Sequence, residues 1–260
     1  MNSLGPRLTL SRLSLDDVAL FLDFDGTLTP LQSRPTDVIP DAERTSLLVR
    51  TGQALAGRVA LISGRTVEDI DALVEKSCMS VAGVHGLQHR SPSGRMEATE
   101  AHPRIDAATE ILAELARSRE GVDLEHKGQA VALHYRGAPG AEAALVECVE
   151  RLARHEALVV QRGDKVIELK SPGPDKGAAV QRFLTELPFR DHIPIYIGDD
   201  FTDEAGFVAA AAAGGFGIVV GDRRPTAAAL TLPDPVAVRA WISDALGRGA
   251  FDLEALQWVD

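Results

Sequence analysis

Two aspartates spaced by one residue, Asp23 and Asp25, close the apolar run 18–22 and precede Gly26 and Thr27. Carboxylates held that close repel each other unless a cation or a shared proton lies between them. In an extended strand alternate side chains share a face, so the pair projects to one side. Gly26 can take a positive φ or admit a ligand to the backbone, and Thr27 can offer an anion its hydroxyl or amide. Alone, the pattern equally fits a strand ending in a polar turn. Three further pieces follow it: Ser63-Gly64-Arg65 after an apolar pair, Asp175-Lys176-Gly177, and the acidic segment 198–204 with Asp199, Asp200 and Asp203.

These groups need strands and helix starts to hold them. The continuous apolar run 18–22 suits a parallel-sheet strand buried on both faces, and open α/β sheets place their sites at the carboxyl ends of such strands. Residues 59–62 read as a second strand and 66–76 as the helix after it. Ser63 then lies where a hydroxyl and free backbone amides converge on a phosphate oxygen. Between these strands Asp41 caps a helix bearing Leu47, Leu48 and Leu55, and Gly57 ends it. Residues 193–197 deliver Asp199, Asp200 and Asp203; three acids at a strand end call for a cation, and hard oxygen donors select magnesium or a similar ion. Lys176 at a helix start opposes the dipole preference, a local conflict expected of a phosphate-binding lysine.

The pattern changes over 103–170. An apolar helix face (Ile105, Ala108, Ile111, Leu112, Leu115) is followed by strands at 122–125 and 131–135, a helix at 141–153, and a hairpin of 158–161 with 165–169. This α-β-β-α-β-β unit interrupts the chemistry-bearing pieces, so it is expected to be an inserted cap. The expected organisation is a doubly wound, Rossmann-like α/β parallel-sheet core (1–102 and 173–260) with a smaller α/β cap (103–172). Residues 80–84 read as a strand and 90–97 as a hairpin or exposed loop. His85 and His89 lack the partners of a zinc site and are expected to be structural or substrate contacts. Farther on, 214–217 read as a helix cap, 218–220 as a strand, 226–230 as a short helix and 236–246 as a closing helix with Trp241. Residues 1–15 carry little pattern beyond Ser14 as a helix cap, and Trp258 fits either core packing or a tail.

With 260 residues and a net charge of −11 at pH 7, the chain lacks the basic stripe of a nucleic-acid surface. No stretch approaches the roughly 20 apolar residues of a membrane span. Asp16 and Asp17 interrupt any leader-like apolar run, and Cys78 and Cys148 have no CxxC spacing. A cytoplasmic protein acting on a small molecule, with neither nucleic acid nor membrane as partner, is expected.

The four pieces together resemble the motifs of the haloacid dehalogenase superfamily of phosphohydrolases. In detail, residues from about 18 to 246 are similar to the trehalose 6-phosphate phosphatases. The segments 82–86 (AGVHG), 124–128 (LEHKG), 132–136 (ALHYR) and 166–170 (VIELK) carry that likeness. The resemblance implies Asp23 as nucleophile, Asp25 as general acid and base, and Ser63 and Lys176 on phosphate oxygens. It implies Mg2+ held by Asp23, the Asp25 carbonyl and Asp199, with Asp200 and Asp203 in support. It further implies Arg65, Lys127, His134, Arg136, Glu168 and Lys170 on the substrate, and a functional link to a trehalose-phosphate synthase. Two departures stand out: Gln88 sits where relatives often carry Glu after the His-Gly pair, and Ser171 displaces the proline that usually follows the Glu-x-Lys segment. Competing readings are a phosphatase for another sugar phosphate such as sucrose 6-phosphate, a phosphomutase, and a sugar-phosphate-binding domain without catalysis.

Overall fold

Along Val18–Leu22 every residue is buried, and alternation splits them between two cores. Val18, Leu20 and Leu22 enter the cluster on one face of the sheet, Ala19 and Phe21 the cluster on the other. Burying a side chain such as Phe21 contributes roughly 1.5–3 kcal/mol, so this strand anchors both faces at once. The computed structural model describes residues 11–259.

The chain opens with β1 (Arg12–Ser14) and β2 (Val18–Leu22), then α1 (Ala42–Ala54), β3 (Val59–Ile62), α2 (Val67–Val74) and β4 (Ser80–Gly83). A hairpin of β5 (Gln88–Arg90) and β6 (Met96–Ala98) follows. Next come α3 (Ile105–Arg117), β7 (Asp123–His126), β8 (Ala130–His134), α4 (Glu142–Glu156), β9 (Val159–Gly163) and β10 (Val166–Lys170). The remainder holds α5 (Lys176–Leu184), β11 (Ile193–Gly198), α6 (Glu204–Ala212), β12 (Phe216–Val220), β13 (Leu230–Leu232), α7 (Pro235–Arg248), β14 (Ala250–Asp252) and β15 (Gln257–Trp258).

A nine-stranded sheet runs β15-β13-β12-β11-β2-β3-β4-β5-β6. Pairing is parallel from β13 through β4 and antiparallel only at the edges, so this is an α/β fold with a parallel-dominated central sheet. Residues of α1, α2 and α7 pack on one face, residues of α5 and α6 on the other. The second sheet, β7-β8-β10-β9, is wholly antiparallel. Its Val131, Leu133, Ile167 and Leu169 share a separate core with α3 and α4. Alternation turns the intervening positions, Glu168 among them, to the opposite face of this smaller unit, the cap.

The structure departs from the sequence reading near the termini. Residues 226–230 form no helix: the Thr226 hydroxyl accepts the Ala228 amide, and the Ala229 amide donates to Gly217 O, drawing the segment beside β12 as a strand. Competition from a threonine side chain is a general reason such segments leave the helix. Ser14 does cap a short 3-10 turn, but residues just before it also pair with β14. Trp258 lies on the edge strand and stays half exposed. The part of 1–15 before residue 11 lies outside the described residues. Cys78 and Cys148 are both free and buried, in different cores.

Candidate active site

The backbone of Asp23 continues the sheet ladder, its amide donating to Ile197 O at 2.9 Å, before the chain turns over Gly26 at φ +80°. A Cβ on Gly26 would fall 2.1 Å from Asp199 Oδ2, so only glycine lets the ends of β2 and β11 bring their acids together. Asp175 caps α5 through the Ala178 amide, freeing Lys176 to fold back over the strand ends. There Lys176 Nζ donates to Asp23 Oδ1 at 2.8 Å and to Asp203 Oδ1 at 2.7 Å, fully buried. The lysine that opposes the helix dipole is thus held by two carboxylates.

Asp203 is saturated. Besides Lys176, Tyr196 OH donates to its Oδ1 at 2.7 Å, and the amides of Asp199 and Asp200 donate to Oδ2 at 3.1 and 2.9 Å. Asp23 and Asp199 are not. Burial pushes Asp23 up to about 7, with Asp203 and Asp25 adding and Lys176 opposing. Burial and the charges of Asp23 and Asp203 push Asp199 up to about 9. Burial disfavours the charged Lys176, but Asp203 and Asp23 outweigh it and hold its pKa above the ordinary range.

Oxygens of Asp23, Asp199 and Asp203 lie within 4.8 Å of one another, the one such cluster among the described residues. The donor set is hard oxygen, and the excess of buried carboxyls over cations is what a divalent ion would neutralise, so the residues fit Mg2+. With Asp203 occupied by its own donors, Asp23 and Asp199 are the side chains with oxygen to give.

Beside this floor, Arg65 holds Asp25 as a fork, Nε to Oδ2 at 2.6 Å and Nη2 to Oδ1 at 2.8 Å, and also donates to Pro35 O at 3.1 Å. Ser63 Oγ, buried, accepts the Arg65 amide at 3.1 Å. Asp200 behaves differently from its neighbours: its Oδ1 accepts the Phe201 amide at 2.7 Å and its Oδ2 faces the cap at Gly163.

The cap supplies the opposite wall. Lys127 Nζ donates to Glu168 Oε2 at 2.8 Å and to the core carbonyl of Gly64 at 2.9 Å. His134 Nε2 lies 2.8 Å from Glu125 Oε2, and Arg136 donates to Asp164 Oδ2 at 2.8 Å. Burial would raise the Glu168 carboxyl, but Lys127 and His85 hold it below the usual carboxylate range. Burial acts likewise on Glu125, and Lys127 and His134 reverse it. Glu168 Oε1 and His85 Nδ1 are buried without a hydrogen-bond partner among the described residues, and both residues line the cleft.

The cleft therefore gathers Asp23, Asp25, Ser63, Arg65, Lys176, Asp199 and Asp200 from the core with Lys127, His134, Arg136 and Glu168 from the cap. Lys170 is not brought in: its ammonium points to Pro174 O at 3.4 Å, and burial lowers its pKa. Asp203 stands behind the floor rather than on it. Gln88 lies outside the cleft too; its Oε1 accepts the Val67 amide and its Nε2 donates to Gln129 of the cap, 2.9 and 3.0 Å. Ser171 joins the two crossings between core and cap, accepting the His102 amide and donating to Gln129 O. Sequence reasoning missed Glu125, which strand alternation with Lys127 would have flagged, and the core wall 31–35, which carries no motif.

A profile described as trehalose-phosphatase matches residues 21–235. The trehalose-6-phosphate phosphatase of Escherichia coli (strain K12) is 35% identical over 206 residues, 78% of this chain and 77% of that one. A probable trehalose-phosphate phosphatase of Sinorhizobium fredii is 36% identical over 240 residues, 90% of each chain. The crystal structure of a trehalose-6-phosphate phosphatase related protein superposes with a TM-score of 0.73 at 26% identity, covering 89% of this chain and 98% of that one. With the motif residues gathered in one cleft and the match running over most of its length, the chain belongs to the trehalose-phosphatase family.

Proposed function

We propose that this protein hydrolyses trehalose 6-phosphate to trehalose and phosphate, with Mg2+, through an aspartyl phosphate on Asp23. One observation carries the reading: Asp23 ends the central strand beside Lys176 and Asp199, facing a cap wall rich in groups that bind hydroxyls. Asp23 attacks phosphorus while the sugar oxygen leaves with a proton from Asp25. Water then attacks the aspartyl phosphate, Asp25 takes its proton, and Asp23 is released. Both Asp25 oxygens are held by the Arg65 fork, and an arriving phosphate competes for that guanidinium and frees the carboxyl to face the sugar oxygen. Lys176 and Ser63 hold phosphate oxygens, Lys176 also opposing the upward push of burial on Asp23. Mg2+, held by Asp23, Asp199 and the Asp25 carbonyl, would offset phosphate charge.

The cap's Glu125, Lys127, His134, Arg136 and Glu168 then exchange some of their mutual bonds for sugar hydroxyls. A trehalose-phosphate synthase would supply the substrate, and both act in the cytoplasm. The test is phosphate release from trehalose 6-phosphate, sucrose 6-phosphate and glucose 6-phosphate, with Mg2+ or EDTA. Preference for the first, lost in EDTA, is expected. Preference for another sugar phosphate would keep the chemistry and discard the substrate.

A further inference from the structure

We infer that Asp200 is the core's catch for the closed cap, the seat on which the 163–166 turn of the β9–β10 hairpin rests. Of the three aspartates in segment 198–204, Asp199 and Asp203 share the acidic cluster with Asp23, and Asp203 is also saturated by four donors. Asp200 is directed elsewhere. Its Oδ1 is tied to the Phe201 amide, and a Cβ at Gly163 would stand 2.6 Å from its Oδ2. Both residues line the same cleft from opposite sides. Burial raises the Asp200 carboxyl, and the backbone amides of Phe201 and Asp164 pull it back.

Both sides of this contact are built to be rigid. The Asp200 amide is bonded to Asp203, which is bonded to Lys176 and through it to Asp23. On the cap, Arg136 donates to both the carbonyl and the carboxylate of Asp164, fixing the turn. The residue at 163 must be small for the approach to occur, and it is glycine. Losing this contact is expected to open the cap by about tenfold in population. The catch thus joins closure over the sugar to the loop that carries the metal-binding acids.

This inference rests on the proposed function for its substrate, and its test separates the two. Asp200→Ala and Asp200→Asn would be made in the full chain at saturating Mg2+. The readouts are kcat and KM for trehalose 6-phosphate and p-nitrophenyl phosphate, Mg2+ binding by calorimetry, and amide exchange at 163–166. Asp200→Ala should raise KM for the sugar phosphate about tenfold, lower its kcat/KM relative to the small ester by the same factor, and speed exchange at the turn. Asp200→Asn keeps a carbonyl acceptor and should recover most of this. Weaker Mg2+ binding in both variants, with both substrates slowed in parallel, would make Asp200 a metal ligand and reject the catch. Unchanged exchange at 163–166 would reject it too. If the wild-type protein cleaved the small ester but not trehalose 6-phosphate, the proposed substrate would fail, and exchange at the turn would still decide the catch.

Discussion

The floor and the wall of the cleft solve opposite electrostatic problems. On the core floor acids outnumber bases, and burial lifts Asp23 to about 7 and Asp199 to about 9. On the cap wall every acid has a base: Glu168 with Lys127, Glu125 with His134, Asp164 with Arg136. Glu168 and Glu125 are accordingly held below their ordinary values, burial notwithstanding. A floor with more carboxyls than cations suits a divalent cation, which would in turn offset the charge of a phosphoryl group. A wall of paired groups suits neutral hydroxyls, which can replace one partner at a time without stranding a charge.

The largest test of that contrast is Asp23→Asn. It should cut phosphate release on the order of 10^4-fold, while the metal-free protein melts no lower, because a burdened carboxyl has been removed from the floor. A sharply lower melting temperature would mean the floor needs its acids for folding.

On the wall the expectation reverses. Lys127→Ala strands the buried Glu168 and should cost about 3–5 kcal/mol, measured by urea unfolding, with the ratio of trehalose 6-phosphate to small-ester turnover falling as well. Adding Glu168→Gln should restore part of the stability. Equal losses in the single and double variants would show that the pair is not the source of the wall's stability.

Metal and pH sharpen the floor's side. Asp23 ordinarily titrates near 3.8 but near 7 in the folded, metal-free protein, and Asp199 moves from 3.8 to about 9. Between those values the folded form keeps protons that the unfolded form has lost. Stability without metal should therefore fall as pH rises from about 3.8 through about 9. Mg2+ at a hundred times its Kd should return about 2.7 kcal/mol, and its effect should grow with pH as protons stop competing. Thermal melts with Mg2+ or EDTA across that range check this; a Mg2+ effect that shrinks with rising pH would overturn it.

The smallest effect is expected where core and cap meet in solvent. Arg34 and Asp123 pair at 3.0 Å with both side chains well exposed. Arg34→Ala should change stability by about 1 kcal/mol or less, and less still in high salt. A larger loss would make this rim pair a true clamp between floor and wall.

Much of the floor was legible in the chain because its signals are local. A run of five buried residues leading into Asp23, the Asp41 cap, and a glycine directly after Asp25 each follow from neighbours in sequence. The pairing of β1 with β14 was not legible, since three-residue strands more than two hundred positions apart carry no periodic signature. Nor was the strand at Leu230–Leu232, which begins where the helix expected over 226–230 would end and follows from Gly217 O taking the Ala229 amide. Lys170 shares a strand face with Glu168, yet the end of β10 carries it to Pro174 and out of the cleft.

By itself the sequence determined the α/β class, the order of the elements from β2 to β12 and which residue types stand at the strand ends, because burial and chain turns act over a few residues. Tertiary structure decided what each acid does. Asp199, Asp200 and Asp203 are near-equivalent as letters, but one stands open beside Asp23, one meets the cap and one is consumed holding Lys176. A carboxylate's role depends on which donors and charges reach it within a few ångströms, and those come from β2, α5 and the cap, distant in sequence and adjacent only in the fold.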